Sequence, residues 1–280
     1  MPHTLNRQYV REVMSNRHLI QPGSRVNLAQ TSTSGKDFCK DRREAEDEFK
    51  DLRHEFIDLQ SVLYAESKRS LLIVLQAIDA GGKDSAIRKM TAGTNPQGVE
   101  VASFKRPTSL ELSHDFLWRI HQRCPAKGMV GVFNRSHYED VLVVRVDEIV
   151  PKSVWKPRYE VINQFENHLV QSGTTILKFF LHISKDEQKA RFQDRLDRPE
   201  KHWKFEAADL EKRAQWDEYQ VAFEDMLQEC STDHAAWHVI PADQKWYRDL
   251  ALMKVVVKTL KEMAPQFPEA ADVKGIVIDQ

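Results

Sequence analysis

Cysteine, long apolar runs and net charge are what this chain has least of. Its 280 residues hold three cysteines, Cys39, Cys124 and Cys230. They are scattered, odd in number and share no metal-ligand spacing. That excludes a disulfide framework and a cysteine metal centre, and points to free thiols in a reducing cytoplasm. No apolar run approaches the roughly 18 residues that span a bilayer. The opening MPHTLNRQYV lacks a signal-peptide core, so no membrane association is expected. Formal net charge is −1, which argues against a broadly basic surface for nucleic acid. The histidines form no HExxH or other metal pattern, and no internal repeat or low-complexity tract is present. With 41% hydrophobic and 30% charged residues, the chain can bury a proper core beneath a solvated surface.

What is there begins with LLIVLQAIDAGGKDS, residues 71–85. Leu71 to Gln76 reads as a short buried strand, Ala77 to Gly82 as a small-residue turn, and Asp84 to Ala92 as a helix. Strand, glycine turn, lysine, helix is how a chain builds a phosphate cradle. The N–H groups of Ala80, Gly81, Gly82, Lys83, Asp84 and Ser85 surround one concavity, the helix dipole favours anions there, and Lys83 adds a point charge. Arg88 and Lys89 extend the positive charge along the helix. The pattern G-x-x-x-x-G-K-[ST] is not met in full: Ala77 stands at the first glycine and Asp84 at the Ser/Thr. The plainer alternative is an ordinary βα turn.

Further elements follow by periodicity. A long helix is expected from Lys40 to Lys68, with Phe49, Leu52, Phe56, Leu59 and Leu63 on one face. Strands are expected at Val101–Phe104, Met129–Phe133, Thr174–Ile183 and Trp237–Ile240. Helices are expected at Leu110–Arg123, Ser136–Arg145, Arg158–Gln171 (Val161, Phe165 and Leu169 inward), Glu206–Glu229 and Trp246–Met263. Ser184 and Glu187 fit a capping box opening another. Strands alternating with helices give an α/β fold with a mainly parallel, five-stranded sheet covered on both faces. Ligands then sit at the carboxyl ends of the strands, in loops 77–83, 104–107 and 134–139. The expected organisation is an amino-terminal arm over 1–39, a catalytic domain over 40–265 with a lid around 184–213, and a tail over 266–280.

Those loops carry the candidate chemistry. Asp79, inside the cradle, would repel phosphate unless Mg2+ (or Mn2+) mediates, since Mg2+ takes one or two carboxylates together with phosphate oxygens; the alternative is an Asx turn. Arg135 offers a fork to a phosphate oxygen, and Glu139 is a second metal ligand or positioning group. Ser136 and Glu139 also suit a plain helix start. Lys105, Arg106, Asn134, Arg135 and Tyr138 fall where a nucleotide would lie. In RFQDRLDRPEKHWKF, Arg191, Arg195 and Arg198 share a helical face that Pro199 ends, with Lys204 beyond; this reads as a basic lid or, more plainly, as a solvated face paired with Asp194 and Asp197.

Six ordered motifs resemble the polyphosphate kinase 2 family: AIDAGGKD (77–84), NPQG (95–98), SFKRPT (103–108), HDFLWR (114–119), GVFNRSHYEDVLVVRV (131–146) and RFQDRLDRPEKHWKF (191–205). The resemblance implies a three-layer P-loop kinase fold, thymidylate-kinase-like, with a helical lid. It also implies Mg2+-dependent transfer of the terminal phosphoryl group between inorganic polyphosphate and nucleotides (ADP, GDP, AMP, ATP) by a homodimer or homotetramer. Asp79 and Lys83 match the family's loop, Asn134 and Arg135 its Walker-B-like motif, and Arg191 and Arg195 its lid. Asn134 and Glu139 stand where many members carry Asp and Asn, an exchange that resembles the subgroup accepting both mono- and diphosphates. The rival expectations are an ATP-dependent nucleotide kinase of the same fold, which would keep a conventional GK[ST] loop, and a non-catalytic polyphosphate-binding protein.

Overall fold

The strand LLIV has no polar face to give to water, and it ends up in the middle of everything. In the computed structural model, which describes residues 17–206, 208–269 and 278, β1 (Ser70–Gln76) is buried along its whole length. The helix before it, α1 (Arg42–Glu66), is capped by Asp41, which accepts from the N–H groups of Arg43 and Glu44. After the loop come α2 (Lys83–Met90), β2 (Val99–Ser103), α3 (Ser109–Leu112), α4 (Trp118–His121) and β3 (Val130–Asn134). Then follow α5 (Val143–Val146), α6 (Lys152–Trp155), α7 (Arg158–Gln171) and β4 (Thr174–His182). The chain continues through α8 (Lys185–Asp197), α9 (Ala208–Ala214), α10 (Trp216–Glu229), β5 (Trp237–Pro241) and α11 (Lys245–Met263).

The strand order is β2-β3-β1-β4-β5, and all four ladders are parallel. Right-handed crossovers require α2 on one face and α4, α7 and α10 on the other. Helix α11 packs on α1 and on α2, completing the first layer. The reversal of direction around β1 puts a crevice at the carboxyl ends of β1 and β3, the switch point where doubly wound sheets bind ligands.

The amino-terminal arm, expected as an extended or loosely structured segment packing on the body or on a neighbouring subunit, packs on the body where it is described. Ile20 N–H donates to Trp237 O (2.8 Å) and Val239 N–H to His18 O (2.8 Å), so residues 18–20 lie antiparallel along β5. Residues 1–16 lie outside the described residues, as do 270–277, 279 and 280 of the expected tail.

Five expected features differ. The helix over 110–123 breaks into α3 and α4. Ser113 Oγ bonds Leu110 O (2.8 Å) and Asp115 Oδ1 takes the Leu117 N–H (3.0 Å), local bonds that compete with the helix. Of Leu112, Phe116 and Ile120, expected on one inward side, Leu112 is exposed, Phe116 packs on the core and Ile120 is buried. The helix over 136–145 becomes a 3-10 turn (His137–Asp140) and α5, because Arg158 takes the Asp140 carbonyl (3.0 Å) that would continue it. In α7, Leu169 is buried and Phe165 packs on the core as expected, but Val161 is exposed and Ile162 takes the inward place. The helix over 206–229 is split at Gln215, whose ψ of 26° leaves helical geometry. The capping box at Ser184 is half formed. Ser184 Oγ accepts from Glu187 N–H (3.1 Å), but its own N–H donates to Asp243 (2.8 Å), and Glu187 turns to Arg191.

Candidate functional site

The loop after β1 is shaped from behind. Gly82, the residue before α2, has φ +99°, and a Cβ there would sit 2.3 Å from Arg248 Nη1, so glycine is required twice over. Arg248, fully buried on α11, donates to Gly82 O (3.1 Å) and Ser85 Oγ (3.1 Å) and is neutralised by Asp249 (2.8 Å). Arg191 donates to Ala80 O (2.9 Å), Ala242 O (2.5 Å) and Glu187 (2.7 Å). Peptide C=O and N–H groups point opposite ways, so anchoring the Gly82 carbonyl on Arg248 sends the Lys83 N–H into the crevice. Arg191 was expected to swing in a lid; instead it is a buried brace under the loop. Ala80 holds φ +61° and Arg135 φ +62°, unusual for side-chain-bearing residues, and both lie at this crevice.

Lys83 opens α2, and its ammonium folds back onto Ala77 O at 2.9 Å. It is buried, and its pKa falls to about 8, first by loss of water and then by the neighbouring Arg135, with Asp79, Glu139 and Asp84 pulling the other way. Across the crevice, β3 delivers Asn134 and Arg135. Asn134 Nδ2 donates to Asp84 Oδ1 (2.7 Å), which accounts for the carboxylate at the usual Ser/Thr position. Arg135 Nη2 meets Asp79 Oδ1 at 2.6 Å and Nη1 meets Glu139 Oε2 at 3.1 Å. One guanidinium is thus bracketed by two carboxylates, and Glu139 first, then Asp79, hold it firmly protonated. Asp79, Arg135 and Glu139 share a cavity of about 20 Å³ with Lys212, Tyr219 and the apolar Ile78, Leu142, Val143 and Phe223.

Other expected residues fall elsewhere. Tyr138 is fully buried, donating to Glu166 (2.8 Å) and accepting from Lys178 (2.8 Å), so it cannot meet a nucleotide. Lys89 pairs with Asp249 (2.9 Å), behind the loop, while Arg88 is exposed. Lys105 and Arg106 are exposed after β2, at the crevice end of the sheet. Arg195 donates to Lys204 O (2.9 Å) and Asp209 (3.2 Å), closing the 3-10 turn Pro199–Lys204 onto α8. Arg198 pairs with Glu200 (2.5 Å) and faces solvent, and the Lys204 ammonium lies 4.9 Å from the Trp203 ring. The three lid arginines therefore do three different things.

Sequence reasoning missed Arg248, Asp209, Lys212, Tyr219, Gln188 and Arg213. Gln188 carried a signal, standing one turn before Arg191 on the same face of α8; the others reach the site only through the tertiary fold.

The donor set suits a hard cation bound partly by its substrate. Among the described residues no group of three or more His, Cys, Asp or Glu could hold a metal by itself. Asp79 and Glu139 offer two carboxylates, the number Mg2+ takes when phosphate oxygens and water supply the rest.

A family model described as Polyphosphate kinase 2 matches residues 39–268. The chain is 57% identical over 211 residues to an AMP/ADP-polyphosphate phosphotransferase of Meiothermus ruber, spanning 75% of this chain and 79% of that one. It is 42% identical over 270 residues to an ADP-polyphosphate phosphotransferase of Rhodopseudomonas palustris, spanning 92% and 93%. The crystal structure of polyphosphate kinase 2 from Arthrobacter aurescens TC1 superposes with a TM-score of 0.88 at 40% identity, covering 92% of each chain. No described helix is long and apolar enough to cross a membrane.

Proposed function

The chain belongs to the polyphosphate kinase 2 family, and on that premise we propose that it transfers the terminal phosphoryl group of inorganic polyphosphate to nucleoside diphosphates and monophosphates, ADP and AMP among them, reversibly. The observation that carries the reading is the crevice itself: a lysine and a braced loop on one wall, and a guanidinium held between two carboxylates on the other. An ATP-dependent kinase on this fold would keep a hydroxyl where Asp84 stands bonded to Asn134.

In the reaction, a terminal phosphate oxygen of the nucleotide forms the new P–O bond. The bond to the penultimate phosphate breaks, and its bridging oxygen stays on the shortened polyphosphate. A phosphate oxygen is already ionised near neutral pH, so no strong general base is needed, and Glu139 serves for positioning. Lys83 and the loop N–H groups face the equatorial oxygens where charge must be stabilised. Arg135 is oriented by Asp79 and Glu139 to meet a phosphate as a fork. Mg2+, held by Asp79 and Glu139, would neutralise phosphate charge and align the two substrates. The identity shared with the relative named for both AMP and ADP supports use of both acceptors here.

The test supplies ADP or AMP with polyphosphate and Mg2+ and no nucleoside triphosphate. ATP formation from ADP, and ADP followed by ATP formation from AMP, are expected; no product with either acceptor overturns the reading. Binding of polyphosphate without turnover would make the protein a binder only.

Lys83 gives a second handle. With a pKa near 8 in the free protein, it is partly deprotonated there, and a bound polyanion favours its charged form. Polyphosphate binding is therefore expected to take up about half a proton at pH 8 and about a tenth at pH 7 through this residue. Calorimetry in buffers of different ionisation enthalpy reads this as the difference between wild type and Lys83→Met. Equal uptake by the two proteins would show that the lysine does not meet the ligand.

A further inference from the structure

The loop that carries Asp79 and the helix α9 that faces it are linked by one buried side chain. Gln188 on α8 is 1% exposed. Its Nε2 donates to the backbone carbonyl of Asp79 (3.0 Å), and its Oε1 accepts from Arg213 Nη1 (2.8 Å). The same Arg213 nitrogen donates to Lys185 O (2.7 Å) at the start of α8. Arg213 belongs to α9, and α9 also carries Lys212, which lines the cavity of Asp79, Arg135 and Glu139. Asp209 on the same helix feels Asp79: burial first and the Asp79 charge second raise its pKa.

An amide is the side chain that fits this place. The Asp79 carbonyl needs a donor and the Arg213 guanidinium needs an acceptor, and a primary amide offers both from one small planar group. The two partners fix which way the amide faces. A carboxylate would keep Arg213 and lose the Asp79 carbonyl; an apolar side chain would lose both and leave that carbonyl unpaired in a dry site. We infer that Gln188 is a positioning residue: it ties α9, with Lys212 and Asp209, to the backbone of Asp79, so that the basic segment and the phosphate loop take up their working geometry together. The inference rests on the reading that the crevice transfers phosphoryl groups, and it deepens that reading.

The experiment compares wild type, Gln188→Leu, Gln188→Glu, Arg213→Ala and the Gln188→Leu/Arg213→Ala double variant in polyphosphate-driven phosphorylation of ADP, beside limited trypsin digestion. Gln188→Leu is expected to lower kcat about tenfold to a hundredfold, the scale of a misplaced catalytic group, with KM for ADP within about twofold. The double variant should be no slower than the slower single variant, because both remove one link. Trypsin should cut after Lys212 and Arg213 several-fold faster in Gln188→Leu than in wild type. Should Gln188→Leu fail to fold, Gln188→Glu decides: lower kcat with wild-type trypsin resistance of α9 supports the link. Losses that multiply in the double variant, an unchanged cutting rate in Gln188→Leu, or wild-type kcat in Gln188→Glu each overturn it. A wild type that makes no ATP would instead sink the proposed function, and the digestion would still judge the link.

Discussion

Lys83→Met is expected to lower kcat about a thousandfold, the scale of losing one electrostatic group aimed at a developing charge in a dry site, while the protein becomes no less stable. The two halves of that expectation have one cause. Lys83 is buried, its ammonium bonds the Ala77 carbonyl, and its pKa has dropped from 10.5 to about 8. The charged form is therefore disfavoured in the free protein. Between pH 8 and 10.5 the unfolded chain binds the proton that the folded chain has released, so wild-type stability rises with pH across that window. Below about pH 8 both forms are protonated and the whole penalty is present. At pH 7 the methionine variant should gain up to about 3 kcal/mol in denaturant unfolding, and the difference should shrink toward pH 10. A phosphate ligand reverses the balance, which is why the lysine is worth its burial. A variant retaining a tenth of wild-type turnover, or one clearly less stable at pH 7, would show that the ammonium has another role.

The second large effect lies behind the crevice rather than in it. Lys178, in mid-β4 and fully buried, donates three hydrogen bonds from its ammonium: to Glu166 (2.6 Å), Tyr138 Oη (2.8 Å) and Cys230 O (2.6 Å). Glu166 also meets His137 Nε2 (3.2 Å) and the Tyr138 hydroxyl. Lys178→Met leaves a buried carboxylate without its countercharge and should cost about 3–5 kcal/mol. Exchanging both charges, in Lys178→Met/Glu166→Leu, should recover at least half of that loss. The pH dependence has a definite sign. Burial works against ionisation of Glu166, Lys178 and His137 overcome it, and its pKa lies below the ordinary 4.5. Its contribution is complete above that ordinary value and is lost as pH falls through the lowered one, so Glu166→Gln should flatten the acid unfolding limb. Urea titration of the three variants checks this, and a Lys178→Met loss under about 1 kcal/mol would refute it. Because Tyr138 and His137 form the turn between Arg135 and Glu139, the single variants should lose turnover as well.

Periodicity and turn chemistry revealed most of the scaffold. β1 was placed to within one residue, since a short apolar run before a glycine turn has few other meanings. α7 was bounded correctly, and of its three expected inward residues only Val161 is exposed. Elements failed where side chains took over backbone bonds: Asp115 and Ser113 between α3 and α4, and Arg158 on the Asp140 carbonyl. At the site, Lys83, Asp79, Arg135 and Glu139 were found because their spacing follows from two βα turns, and the structure brings them together. The meaning of Asp84 was not legible, since its partner Asn134 lies 50 residues away on another strand. Nor was the inward turn of Arg191: spacing puts it in line with Arg195 and Arg198, but only the fold shows that the loop carbonyl of Ala80 lies beside it. Arg248 belongs to no motif. It is the residue that the closing helix α11 happens to bring behind Gly82.

The short antiparallel contact of residues 18–20 with β5 bears on how the protein can be handled. A sheet of parallel strands ends in two bare edges, and each is a template for another chain. On the β2 side the edge is short and carries Glu100, whose charge discourages pairing. On the β5 side the strand is wholly buried, and the chain's own His18 and Ile20 occupy the bonds of Trp237 and Val239. That segment is a stopper. Trimming the protein past Gln21, whether by a protease or to shorten it for expression, would unmask Trp237, Val239 and Ile240, and precipitation rather than inactivity would be the first symptom.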